Sequence, residues 1–238
     1  MKIKILASGS SGNCYLITGY KEKILLEVGI SYDKIMEGID FDIENLFCLV
    51  SHEHKDHSKA IKEVVGIGID VYLSNGTAEA LGLGNAYNIH KVKHLQSIEL
   101  DEFVITPFNV FHDVKEPLGF IIKSNIEKKA ILFATDTMDL PYQFTDIDAY
   151  MLEVNFDDDT MNENIESGKT IPFVGNRSRR SHLSLSKAIK ILNKSTSYQK
   201  KIIPIHQSQS NLDFKLMEKE ISKIGEFIDI RKQKEIEI

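Results

Sequence analysis

The stretch LVSHEHKDHS, Leu49 to Ser58, decides how this sequence reads. It places three of the chain's eight histidines and an aspartate between His52 and His57, directly after the apolar run LFCLV. A short apolar run bounded by polar residues reads as a buried strand, and in extended backbone residues two apart point the same way. His52 and His54 can therefore grip one metal ion together. Asp56 and His57, around the turn into a helix opened by Ser58, can face a second. Imidazole and carboxylate are donors that zinc, manganese or iron accepts. A histidine-rich polar loop is the plain alternative, but HxHxDH behind an apolar strand is a specific pattern.

A centre for two ions needs further donors, and strand ends are where to look for them. FNVFHDV ends a strand at His112, ILFATDT ends one at Asp136, and IIPIHQS ends one at His206. Each alone would read as a capped core residue; their joint placement beside HxHxDH reads as a ligand set. His90 and His94, four apart in the lysine-rich NIHKVKHL, read as solvated and stand outside it. SGSSGN (8–13) reads as a tight hairpin turn. It is no P-loop, since no GK[ST] follows, although its N–H groups could form a small anion nest. VGNRSRRSHLSLSK (174–187) gathers Arg177, Arg179 and Arg180 just before His182 and a helix. As a basic loop it is either solvated or a phosphate clamp, because arginine meets phosphate bidentately and a helix N-terminus adds positive potential.

The chain has 238 residues, 42% of them hydrophobic and 27% charged, an ordinary globular composition with length enough for a core. No apolar run reaches membrane-spanning length, and MKIKILASGS lacks the apolar stretch of a signal peptide, so a cytoplasmic protein away from membranes is expected. Cys14 and Cys48 read as buried, reduced thiols. The formal charge of −6 argues against a surface for broad nucleic-acid binding and confines any anion site to a local patch. Strand-like runs fall at 2–6, 14–18, 23–28, 46–50, 71–74, 97–100, 103–110, 119–123, 130–135, 149–154 and 201–205. Helical runs fall at 31–39, 58–65, 76–82, 182–194 and 213–224, and the C-terminal IDIRKQKEIEI reads as a charged edge strand. No linker composition marks a boundary, so 1–238 is read as a single domain. The pattern suits two sheets packed face to face with helices outside.

The order HxHxDH, His, Asp, His resembles the metallo-β-lactamase superfamily over nearly the whole chain. That resemblance implies an α/β fold, a four-layer αββα sandwich with metals at the sheet edge. It implies that His52, His54 and His112 hold one ion, Asp56, His57 and His206 a second, and that Asp136 bridges them. The cofactors would be two divalent ions per chain, zinc first and manganese as the alternative. More narrowly, ASGSSGNCYLI (7–17), VSHEHKDHSKA (50–60), FHDVKEPLGFII (111–122), MLEVNFD (151–157) and RSHLS (180–184) resemble the YycJ/WalJ-type bacterial hydrolases, a group regarded as exonuclease-like phosphodiesterases. Glu27 stands where those relatives usually carry aspartate and supports the metal loop with a longer reach. Ser181 stands where they tend to carry glycine.

The reaction this implies is metal-assisted hydrolysis of a phosphodiester in nucleic acid, the ions lowering the pKa of the attacking water. Asp56 would orient that water as well as bind metal, His182 would protonate the leaving oxygen, and Arg177, Arg179 and Arg180 would hold phosphate. Hydrolysis of cyclic nucleotides or other small diesters is the alternative. Lactone or thioester hydrolysis, or a metal-binding regulatory module without turnover, stands behind both. The oligomeric state stays open, a homodimer included.

Overall fold

The computed structural model describes residues 1–197 and 200–238, which divide into two compact units. The first comprises Met1–Asn109, Val114–Lys129 and Gln233–Ile238; the second comprises Val110–Asp113 and Ala130–Lys232.

The first unit begins β1 (Lys2–Ala7), β2 (Cys14–Thr18), β3 (Lys23–Leu26), α1 (Tyr32–Gly38), β4 (Leu46–Leu49), α2 (Lys55–Ser58) and α3 (Ile61–Gly66). It continues β5 (Asp70–Ser74), α4 (Asn75–Ala80), β6 (Ile89–Val92), β7 (Ile98–Glu99), β8 (Phe103–Asn109) and β9 (Leu118–Ser124). β1 to β6 lie side by side in sequence order, antiparallel through β3 and parallel from there on. β7, β8 and β9 form an antiparallel meander. Alternation along the strands explains the six-strand layer. Cys14 and Leu16 of β2, Leu46 and Cys48 of β4, and Val71 and Leu73 of β5 share one apolar cluster with Ile35 of α1, Ile61 of α3 and Ala78 of α4. Residues one position along point to the opposite face, and there Tyr15, Ile17 and Leu49 are wholly buried too. A strand buried on both faces has to be a continuous apolar run, which is why CYLIT and LFCLV read as they do. Cys14 and Cys48 are buried free thiols, as expected, and burial raises both thiol pKa values well above the ordinary range.

The second unit holds β10 (Ala130–Ala134), β11 (Ala149–Glu153), α5 (Asp158–Glu166), α6 (Pro172–Ser181), α7 (Leu185–Lys194), β12 (Lys201–Ile205), α8 (Phe214–Ile221) and β13 (Glu226–Phe227). β10, β11, β12 and β13 are parallel neighbours. Their register sets Ala134 beside Leu152 and Glu153 beside Ile205. Three chain segments therefore leave the sheet at one edge, and Asp136, Glu153 and His206 stand there together. The carboxyl edge of parallel strands is where α/β sheets place their ligands. The last strand, β14 (Glu235–Glu237), returns to the first unit antiparallel to β1, with Ile236 inward between two outward glutamates. It is the charged edge strand expected from the sequence, and charge on an edge blocks further pairing.

Four sequence expectations change. The basic segment expected as a loop is the helix α6, which starts on Pro172 at its first turn, where a proline costs no hydrogen bond. His182 ends that helix in extended backbone and does not open the next. α7 begins at Leu185 behind Ser184, whose hydroxyl accepts from the Lys187 N–H. The helix in the opening motif starts at Lys55 rather than Ser58, so Asp56 and His57 are already helical and His54 is its N-cap. NIHKVKHL is largely the strand β6, where His90 Nε2 lies 2.6 Å from Asp70 Oδ1 and its ring stacks 4.7 Å from that of Tyr72. Among the described residues no helix is long and apolar enough to cross a membrane.

Candidate metal centre

In the first unit four donors leave the sheet in one short exit. After β4 the Val50 N–H still donates to Tyr72 O at 3.1 Å, and the chain then runs extended past His52 to His54. Ser51 Oγ lies 2.8 Å from His52 Nδ1, which helps fix the orientation of that buried ring. The His52 ring sits 4.9 Å from that of His54 and 4.2 Å from that of His57. One turn of helix brings His57 Nε2 to 3.4 Å from Asp56 Oδ2.

Two buried residues brace this exit. Glu27 follows β3 with a φ of 62°, accepts from the Ser51 N–H at 3.2 Å, and sets Oε2 3.6 Å from His57 Nδ1. Burial pushes its carboxyl pKa up, against the opposing pull of His57 and Ser51. Asn13 is the other. Its N–H donates to Asp56 O at 2.8 Å, and Nδ2 lies 3.2 Å from His57 Nε2. SGSSGN is thus the expected turn between β1 and β2, closed by Gly12 N–H on Gly9 O, and it also delivers Asn13 to the histidine loop. Gly29 packs so closely on that loop that a Cβ there would overlap the Asp56 carbonyl. Gly29→Ala is expected to cost about 1–3 kcal/mol of stability, as overpacking does, and to lower metal content with it. Thermal melting and metal analysis check this; unchanged values in both would show that the loop tolerates a wider spacing.

In the second unit the sheet edge gathers Asp136, Glu153, His182 and His206, each offering an atom within 4.8 Å of the others. His112 Nδ1 donates to Ser181 O at 2.8 Å. A carbonyl only accepts, so Nδ1 carries the proton and Nε2 the lone pair. That Nε2 lies 3.5 Å from Asp136 Oδ2, while His206 Nε2 lies 3.5 Å from Asp136 Oδ1. One carboxylate thus turns one oxygen to each of two histidines. Two donors on a tetrahedral ion, each about 2.0–2.2 Å from it, lie about 3.4 Å apart. The spacing in both units matches that value, and the donor chemistry suits a divalent metal. Asp136 and His206 have φ of 46° and 51°, left-handed backbone held inside the protein. Such conformations cost on the order of 1–3 kcal/mol and cluster at functional sites.

Glu153, which the sequence reading assigned no role, organises this edge. Wholly buried, it accepts from His182 Nδ1 at 2.7 Å, from the Thr137 N–H at 2.9 Å and from the Leu183 N–H at 3.1 Å. His206 Nδ1 is 3.3 Å from the same carboxylate. Burial opposes its charge, but His182, with hydrogen bonds from both histidines, outweighs burial and holds the carboxyl below its usual value. Burial likewise opposes the His182 imidazolium, and the charges of Glu153 and Asp136 outweigh it, holding His182 above its usual value. A strand-end signal was available for Glu153: it closes the apolar run AYMLE as Asp136 follows AILFA. His182 differs from the others in being open. Its side chain is 20% exposed, against 1% for His112 and 4% for His206, so it meets solvent while they do not.

The three arginines do not stay together. Arg177 Nη2 lies 3.3 Å from Asp113 Oδ2, and Arg180 is exposed on the same face of α6. Arg179 turns away and donates to Asn162 Oδ1 at 2.6 Å on α5.

The chain has relatives among known proteins. A family model described as a beta-lactamase superfamily domain matches residues 46–207, and the chain belongs to that family. The fold is the metallo-β-lactamase fold. A metallo-beta-lactamase fold protein, YhfI from Bacillus subtilis, superposes with a TM-score of 0.69 over 95% of each chain at 16% identity. The chain is 30% identical over 173 residues to the exodeoxyribonuclease WalJ of Streptococcus pneumoniae, a match spanning 66% of this chain and 63% of that protein. It is 28% identical over 151 residues to the exodeoxyribonuclease YycJ of Bacillus anthracis, spanning 58% of this chain and 54% of that protein. The matched stretches therefore cover just over half to under two thirds of the relatives' length.

Proposed function

We propose that the chain is a metal-dependent phosphodiesterase that removes nucleotides from an end of nucleic acid, acting as one hydrolase domain over 1–238. The observation that carries this reading is Asp136, whose two oxygens each face a different histidine at 3.5 Å. Asp136 would thus contribute to holding ions beside both histidines. His52, His54 and His112 would hold one ion and Asp56, His57 and His206 a second, with zinc the first choice and manganese the alternative. When bound, the pair lowers the pKa of water and offsets charge on the phosphate oxygens.

The chain's own groups do the rest. Asp56 accepts a proton from the attacking water and aligns it. Glu153 holds the Nδ1 proton of His182, which leaves Nε2 of that ring to protonate the departing oxygen, a contribution on the order of 10²–10⁴ in rate. Burial of His57, His112 and His206 keeps bulk water from competing for their nitrogens. The two nuclease relatives favour nucleic acid over lactone or thioester substrates; they lend no support to a homodimer.

The test is to offer linear DNA, short RNA, cyclic mononucleotides and dinucleotides, a lactone and a thioester to zinc-loaded and manganese-loaded protein at several salt concentrations. With a net charge of −6 few phosphates are contacted, and each contributes about −0.7 to the salt slope on single strands and about −0.9 on duplex. A shallow slope with cleavage from ends is expected. Rapid hydrolysis of cyclic nucleotides with polymers untouched would assign the small-diester activity instead. Turnover of the lactone or thioester alone would end the phosphodiesterase reading.

A further inference from the structure

The helix α6 carries a feature that the metal chemistry does not use. An α-helix turns about 100° per residue, so Phe173, Arg177 and Arg180, at spacings of four and three, lie within about 60° of one another around its axis. Arg179 lies about 160° from Arg177 and meets α5 instead. The opposite face is fixed by Gly175, where a Cβ would stand 2.6 Å from Ile165 Cδ1 of α5, so the outward direction of Phe173 follows from the packing. Phe173 is left 77% exposed, where phenylalanine is among the residues most often buried.

These side chains enclose a cavity of about 410 Å³ lined by Asp113, Phe173, Asn176, Arg177, Arg180 and Ser181. Small-ligand sites measure about 300–1,000 Å³. The cavity borders the candidate centre inside the second unit. Ser181 O holds the Nδ1 proton of His112, and His112 Nε2 lies 3.5 Å from Asp113 Oδ1. Asp113 also steadies Arg177 at 3.3 Å, while Arg180 forms no ion pair among the described residues. The lining thus brings a largely exposed aromatic ring and two guanidinium groups together on one face of the helix.

We propose that this cavity is a terminal-nucleotide subsite, in which an unpaired base stacks on Phe173 while its neighbouring phosphates meet Arg180 and Arg177. The proposal rests on the phosphodiesterase reading for the identity of the centre beside it, and it names the substrate: a single-stranded end. A base inside a duplex has both faces covered by its neighbours, so only an unpaired or frayed end can give its face to the ring. Aromatic stacking is tolerant of base identity, so the subsite selects strandedness and an end, not sequence. This also explains how an acidic protein handles nucleic acid: the aromatic contact supplies affinity that does not depend on net charge.

The experiment measures binding directly, so that it remains readable whatever the turnover. Zinc-loaded protein is titrated into a short, labelled single-stranded DNA with phosphorothioate linkages, into the same strand with an abasic terminal residue, and into its blunt duplex. Phe173→Ala is expected to weaken binding of the intact strand about 5- to 150-fold, the range of aromatic stacking, and Phe173→Tyr to restore it. On the abasic strand the loss should vanish. Arg180→Gln should weaken both strands and flatten the salt slope by about 0.7, more than Arg179→Gln does. A Phe173→Ala loss of equal size on intact and abasic strands, or equal losses for the two arginine variants, would overturn the subsite. Failure of the phosphodiesterase reading would look different: no diester is cleaved, whatever the binding series gives.

Discussion

Asp136→Ala is expected to abolish turnover of every phosphodiester and to cut the metal bound, about two ions per chain in the parent, by at least half. The carboxylate faces His112 Nε2 and His206 Nε2 through different oxygens, so its loss would remove a donor from both of the proposed ions at once. Asp136 also has left-handed backbone, which aspartate and asparagine accept more readily than alanine. Asp136→Asn is therefore the companion variant: it keeps that backbone preference and side-chain size and removes the charge. Metal analysis and circular dichroism on both variants separate lost metal from lost fold. His52→Ala should lower metal content in the same way. Full activity in any of the three, or in chelator-stripped protein, would end the metal-dependent hydrolase reading.

His182→Ala should keep the metal and the fold and lose about 10²–10⁴ in rate on substrates with poor leaving groups, the usual worth of a general acid. The loss should shrink on a nitrophenyl ester, whose leaving oxygen needs no proton. Equal losses on both would place His182 in phosphate binding instead. Glu153→Gln is the positioning counterpart. It keeps an acceptor for the His182 Nδ1 proton but removes the buried charge that faces both His182 and His206. Changes behind metal-ligating histidines cost about 10- to 100-fold in metal affinity or activity. Glu153→Gln should therefore lower metal affinity as well as rate, which His182→Ala should not. That difference distinguishes a residue that positions ligands from one that meets the substrate.

Local pattern was enough for most of the strands. β2 and β12 fall where their apolar runs fall, and most other strands differ by a residue or two at their ends, because a strand buried on both faces has to be written as a run of apolar residues. The candidate donors were legible for a related reason. His52, His54, Asp136 and His206 each follow such a run, and a polar residue at that point has to leave the sheet. The fold class followed from the alternation of runs together with the family resemblance, and both cysteines were read as what they are.

Helices that bury little were illegible. α5 is mostly polar, and α6 turns Phe173 and Val174 to solvent while Gly175 leaves no room for a Cβ beside Ile165. No apolar stripe marks such a helix, since a glycine contributes contact by what it lacks. The Asp157 cap, whose carboxylate accepts from the Thr160 N–H, and Pro172 at a first turn were the local signs that remained. Sequence alone thus determined most sheet segments and pointed to a candidate donor set and the chemistry those donors suit. Tertiary structure alone decided that three neighbouring arginines part company around a helix, that Asn13 reaches His57 across 44 positions, and that Glu153 sits behind both His182 and His206. Those facts depend on which distant segments the backbone brings within a few ångströms, and spacing along the chain carries no record of that distance.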